Sequence, residues 1–114
     1  MTNYATGHLA EKYACDYLSK NGYKVVATNW HTRYCEIDII ARRKKIIYFI
    51  EVKYRHNTMQ GAGLDYVTPT KLRQMRFAAE MWVSENGWAH DYNLGAIELS
   101  GSDFEVSQFL PVLE

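Results

Sequence analysis

The sequence predicts an α/β protein in which a mixed β-sheet is flanked by helices in the order α-β-β-β-α-β-β. Three observations carry this expectation. Two segments repeat apolar residues at helical spacing, Leu9 to Leu18 and Leu72 to Val83. Five shorter segments are rich in β-branched and aromatic residues and are separated by turn residues. The second helical segment falls between the third and fourth strands, which gives one α/β domain with a mixed sheet.

Each element follows from its local chemistry. Leu9, Ala10, Tyr13, Ala14, Tyr17 and Leu18 recur at i, i+1, i+4, i+5, i+8 and i+9, one face of a helix from about Tyr4 to Lys20 that Asn21-Gly22 should stop. Tyr23 to Asn29 reads as a strand. Cys35 to Ile40 and Tyr48 to Lys53 then read as a hairpin joined through Arg42, Arg43, Lys44 and Lys45. Their core face should carry Cys35, Ile37 and Ile39 against Tyr48, Ile50 and Val52, and Ile40, Ile47 and Phe49 make the other face partly apolar too. His56 to Val67 has no period and contains Gly61-Ala62-Gly63, so a mobile loop is expected. Thr68-Pro69 starts the second helix as N-cap and first-turn proline, and Asn86-Gly87 ends it. Asn93 to Leu99 and Phe104 to Leu110 complete the sheet around Ser100-Gly101-Ser102.

Residues 1–114 are expected to form one domain. An apolar fraction of 47% and an aromatic fraction of 14% describe an ordinary globular chain. Cys15 and Cys35 have no metal-ligand spacing and read as reduced thiols. The absence of an apolar leader or of a run near the ~18 residues of a membrane span points to a soluble, cytoplasmic protein with no membrane partner. With 13 basic and 13 acidic residues the chain is neutral, which argues against a strong non-specific polyanion binder. The basic residues nevertheless concentrate between Arg33 and Arg76. Gly61-Ala62-Gly63 lacks the lysine and helix of a phosphate-binding loop, so no nucleotide cofactor is expected. The tryptophans read as core or loop anchors, and the histidines as surface or capping residues.

The chemistry concentrates in the hairpin. Alternate strand residues share a face, so Glu36 goes with Asp38, and Glu51 with Lys53. A two-residue turn at Arg43-Lys44 sets Glu36 opposite Glu51; one at Lys44-Lys45 sets Asp38 opposite Glu51. Either register gathers three carboxylates and a lysine on one face, an arrangement that asks for a cation. Magnesium takes oxygen ligands and keeps several waters, a demand that Asp38 and Glu51 meet. Glu11 lies at the edge of the first helix's apolar arc, about 20° beyond Leu18.

Gly7-x-x-Ala10-Glu11, Asn21-Gly22-Tyr23, Asn29, Glu36 to Ile40 and Glu51-Val52-Lys53-Tyr54-Arg55 together resemble the YraN-like family, over most of the chain. That family is similar to archaeal Holliday-junction resolvases and to the wider PD-(D/E)xK nuclease superfamily. The resemblance implies a restriction-endonuclease-like fold and an endonuclease dependent on Mg2+ or Mn2+. Its substrate would be DNA, branched or structured forms included, and the resolvase branch works as a homodimer. The resemblance makes Asp38, Glu51 and the Val52 carbonyl metal ligands, Lys53 the catalytic lysine, and Glu11 the helix carboxylate that completes the site. Arg55 and Lys71 match basic positions that could hold the DNA backbone, and Arg42 and Arg43 add phosphate contacts in a minority reading of the turn. Two departures stand out: Cys35 replaces a usual glycine, and Asn93-Leu94-Gly95 stands where relatives carry an Arg-Phe-Asp type of sequence. The neutral charge and that missing aspartate motivate an alternative, a catalytically silent nuclease-fold module binding nucleic acid or a protein partner. RNA is a third substrate option.

Overall fold

The computed structural model describes residues 3–56 and 67–113. Its elements are α1 (Asn3–Lys20), β1 (Lys24–His31), β2 (Glu36–Arg43), β3 (Ile46–Arg55), α2 (Pro69–Asn86), β4 (Asp91–Ser100) and β5 (Glu105–Leu110). This is the expected restriction-endonuclease-like order. The five strands form one sheet in sequence order, antiparallel except for the β3–β4 pair, which is parallel. The expected loop from His56 to Val67, including Gly61-Ala62-Gly63, lies almost entirely outside the described residues. Among the described residues no helix is long and apolar enough to cross a membrane.

The helices begin and end on local chemistry. Gly22, at φ +88°, follows α1, and the Tyr23 N–H returns to the Leu18 carbonyl at 3.0 Å. At α2 the Thr68 hydroxyl accepts the Lys71 N–H at 3.2 Å, Pro69 opens the first turn, and Gly87 closes the helix at φ +60°.

Two apolar layers result, one on each face of the sheet. Ala10, Ala14 and Leu18 of α1 pack with Tyr23, Ile39, Ala41, Tyr48, Ile50, Ile97 and Leu99. Met75, Ala78, Ala79 and Trp82 of α2 pack with Ile37, Ile40, Ile47, Phe49 and Leu94. Tyr13, on the expected buried stripe of α1, is 44% exposed. Its ring stacks on Phe104 with centroids 5.1 Å apart, at the margin of the layer.

The strand alternation holds for Ile39 but breaks before it. Cys35 and Ile37, expected beside Ile39, pack in the α2 layer instead. The break coincides with the end of a ladder and with Asn29, left-handed at φ +51°, across from it in β1. β2 and β3 pair from Arg43↔Ile46 to Ile39↔Ile50 and no further, while β2 stays paired to β1 as far as Glu36. Freed from β3, the start of β2 follows β1 alone, and its side chains turn under α2.

Gly95 marks a close approach. Residues after β5 fold back over β4, where the Leu113 N–H donates to the Leu94 carbonyl at 2.8 Å. A Cβ at Gly95 would lie 2.9 Å from the Leu110 carbonyl oxygen and 3.0 Å from that of Pro111, both backbone atoms. Gly95→Ala should therefore destabilise the protein by about 1–3 kcal/mol in urea unfolding. Gly7→Ala, where an added Cβ meets nothing within 4 Å on α1, should be neutral or stabilising by up to about 1 kcal/mol.

Candidate functional site

The hairpin turn falls at Lys44-Lys45, with Lys44 at φ +58°, and this settles the register left open by the sequence. Arg43 pairs with Ile46, and the count runs down the ladder to Ile39↔Ile50. Asp38 is thereby aligned with Glu51 at the first position where the strands no longer pair. There the Asp38 Oδ2 accepts the Val52 N–H at 2.8 Å. A strand residue directs its N–H and C=O to the same side. The Val52 carbonyl thus faces the same gap as the Asp38 carboxylate.

Around Asp38 the negative charges gather. Its carboxyl is pushed up from an ordinary 3.8 to about 7, first by burial and then by the neighbouring Glu51. The Val52 N–H pulls the other way, and Glu11 and Glu36 add smaller upward pushes. The sheet thus supplies three carboxylates and α1 a fourth.

Partners hold the outer members of this group. Glu51 Oε1 lies 3.1 Å from Lys71 Nζ in the first turn of α2, with side chains 20% and 33% exposed. Glu11 Oε1 accepts a hydrogen bond from Asn29 Nδ2 at 2.8 Å, and His8 Nδ1 is 3.9 Å away. Asn29 sits within β1 at φ +51°, a left-handed conformation that asparagine tolerates better than most residues. Asn29 was visible in the sequence only as a motif position; its service to Glu11 was not. A weak strand former inside an apolar strand was the available signal.

Lys53 lies two residues beyond Glu51, partly buried and in register with Glu98 of β4. Glu98 is a buried acid whose one signal in the sequence is its place between Ile97 and Leu99. Its Oε2 lies 3.2 Å from Arg55 Nε, and its Oε1 accepts the Ser107 hydroxyl at 2.7 Å. Arg55 is therefore engaged within the sheet, its side chain 15% exposed. Arg42 and Arg43 lie four and five residues from Asp38, roughly 13–17 Å along the strand. They stack on Trp88 and Tyr23 at 5.1 and 5.4 Å. The structure thus brings Glu11, Asp38, Glu51, Lys53 and Lys71 to one end of the sheet and leaves Arg42 and Arg43 at the other.

Among the described residues no three His, Cys, Asp or Glu side chains converge as a ready-made metal-ligand set. The oxygen donors at the gap are Asp38, Glu51 and the Val52 carbonyl. Two carboxylates completed by a carbonyl and water suit magnesium, which keeps much of its hydration shell. A desolvated carboxyl crowded by like charges also gains from a cation.

These features define a class: an α/β protein with a cluster of carboxylates where a central strand pair splays apart. A family model described as "Uncharacterised protein family UPF0102" matches residues 10–106, and the chain belongs to that family, the YraN-like family of the sequence motifs. The chain is 41% identical over 90 residues to a UPF0102 protein of Tropheryma whipplei (strain Twist), covering 75% of this chain and 71% of the relative. It is 43% identical over 79 residues to one of Mycolicibacterium vanbaalenii, covering 69% and 65%. To a UPF0102 protein of Neisseria meningitidis serogroup A it is 33% identical over 101 residues, 88% of each chain.

The raised Asp38 pKa has a measurable consequence. Folding binds a proton at Asp38 more tightly than the unfolded chain does, so stability falls as pH rises from about 4 to about 7 and then levels. Asp38→Asn keeps an acceptor for the Val52 N–H and removes that slope. In metal-free buffer it should be more stable than the native protein by about 1–3 kcal/mol at pH 8, with the difference vanishing near pH 4. Urea unfolding at both pH values checks it.

Proposed function

We propose that this protein is a divalent-metal-dependent endonuclease of the PD-(D/E)xK type that hydrolyses phosphodiester bonds in DNA. The observation that carries the reading is the Asp38 carboxyl, desolvated and surrounded by Glu51, Glu11 and Glu36 beside the Val52 backbone. The order of helix glutamate, strand aspartate and strand Glu-Val-Lys supports it.

In this reading Asp38, Glu51 and the Val52 carbonyl hold Mg2+ or Mn2+. The bound ion supplies charge neutralisation at the scissile phosphate and a water of lowered pKa. Asp38, its pKa raised by burial and by Glu51, would serve as a ligand in its deprotonated form. Glu51, paired with Lys71 at 3.1 Å, would serve as the second carboxylate ligand, and Lys71 beside it would offer its ammonium to the phosphate. Lys53 orients the attacking water or stabilises the negative charge that builds on phosphorus. Glu11, fixed by Asn29, extends the carboxylate field of the site. Arg55, tied to Glu98, acts by anchoring β3 to β4 near the site. Branched DNA and a homodimer belong to the same proposal by likeness to the resolvases, as does a cytoplasmic setting.

A second reading draws on the Lys71–Glu51 ion pair, 3.1 Å across, which neutralises one proposed ligand internally. In it the site is silent and the fold serves as a module that binds nucleic acid or a protein partner.

Cleavage and metal binding separate the two. With magnesium or manganese, the purified protein should cut linear, flapped or four-way DNA. Asp38→Asn and Lys53→Ala should each lower the rate by at least about a hundredfold. Manganese should raise the melting temperature of the native protein and leave that of Asp38→Asn unchanged. Failure to cut any of these DNAs, with no manganese stabilisation, favours the silent module.

A further inference from the structure

A groove of about 540 Å3 opens between the start of β2 and the first three turns of α2 and runs to Glu51. Its rim carries two exposed aromatic rings: Tyr34 is 70% exposed and Phe77 51%. Both border the same groove, one from each side element. Cations accompany them. The Arg33 guanidinium lies 5.4 Å from the Tyr34 ring centroid, and Arg73 and Lys71 line the α2 wall. Glu36 and Glu51 line the groove as well, so negative charge is present together with the cations.

We propose that this groove binds an unpaired stretch of nucleic acid, with bases stacked on Tyr34 and Phe77 and the backbone led by Arg73 toward Glu51. The inference rests on the nuclease reading for its substrate and adds what that reading leaves open, a preference for single-stranded segments over continuous duplex. Stacked bases in duplex have no free face for a protein ring, whereas each unpaired base offers one. Exposed aromatics interleaved with arginine are the surface that single strands select. A second copy of the chain would suit the groove less well, because the buried centres of protein interfaces are depleted of charge. Here Glu36, Glu51, Lys71 and Arg73 line the groove and Arg33 lies over Tyr34, five charged side chains in all.

The test uses the full chain in EDTA, so that binding is read without cutting. The probe is a fluorescein-labelled oligothymidine of about 12 nucleotides, with a blunt duplex of equal length beside it. Fluorescence anisotropy should show tighter binding of the single strand. Tyr34→Ala and Phe77→Ala should each weaken it by about 5- to 100-fold and change duplex affinity less than about twofold. Tyr34→Trp should restore single-strand binding. Both positions are exposed, so the variants should retain the native circular dichroism spectrum. Equal affinity for single strand and duplex, or single-strand binding indifferent to both alanines, overturns the proposal. So does a dimer that the alanines dissociate without loss of oligonucleotide binding, which would assign the groove to a second copy. Absent cleavage with intact, aromatic-dependent binding removes the catalytic reading and leaves this one standing. Duplex cleavage indifferent to Tyr34 and Phe77, with no single-strand preference, does the reverse.

Discussion

The hydrogen bond from the Val52 N–H to the Asp38 carboxylate, 2.8 Å long, stands where β2 and β3 stop pairing. A regular hairpin would continue the backbone ladder past Ile39 and Ile50. A side chain takes up the Val52 donor instead, the strands separate, and β2 stays with β1. The gap admits the Val52 carbonyl and the two strand carboxylates to a common space. It also lets Cys35 and Ile37 pack in the α2 layer, and Cys35 lines the groove that Tyr34 and Phe77 border.

Around this point the charges form two groups with different roles. Glu98, buried in β4, is held by Arg55 of β3 and by the hydroxyl of Ser107 in β5, contacts that tie the three strands together. Asp38, Glu51, Glu11 and Glu36 are held only in part: Lys71 meets Glu51, Asn29 meets Glu11, and Asp38 has a backbone donor but a strongly raised pKa. Buried charge that is paired fixes a structure, whereas carboxylates pressed together against desolvation store energy that a cation can release. That contrast directs the functional reading to the second group.

Much of this was legible in the chain. Helical spacing, the Thr68-Pro69 start and the Asn-Gly stops located both helices, and the β-branched runs located the sheet. Alternation and the 100° helical arc brought Glu11, Asp38 and Glu51 to one end of it. What escaped was set by geometry beyond the local pattern. The turn register stayed open because neither Arg43-Lys44 nor Lys44-Lys45 contains a residue that demands positive φ, and only the backbone at Lys44 chooses. Strict alternation puts Cys35 and Ile37 in the α1 layer with Ile39, whereas they pack against α2, past the point where β2 and β3 stop pairing. Asn29 and Glu98 act through partners 18 and 43 residues away, Glu11 and Arg55, and no sequence period reports contacts of that range.

The most direct test is a carbon-detected NMR titration of the Asp38 carboxyl in the free protein and with magnesium. The account predicts a midpoint near 7 without the ion. With magnesium it predicts a drop toward the ordinary carboxylate range of about 4, as cation and proton compete for the same oxygens. An Asp38 that titrates near 4 in the free protein, with no response to magnesium, would contradict it.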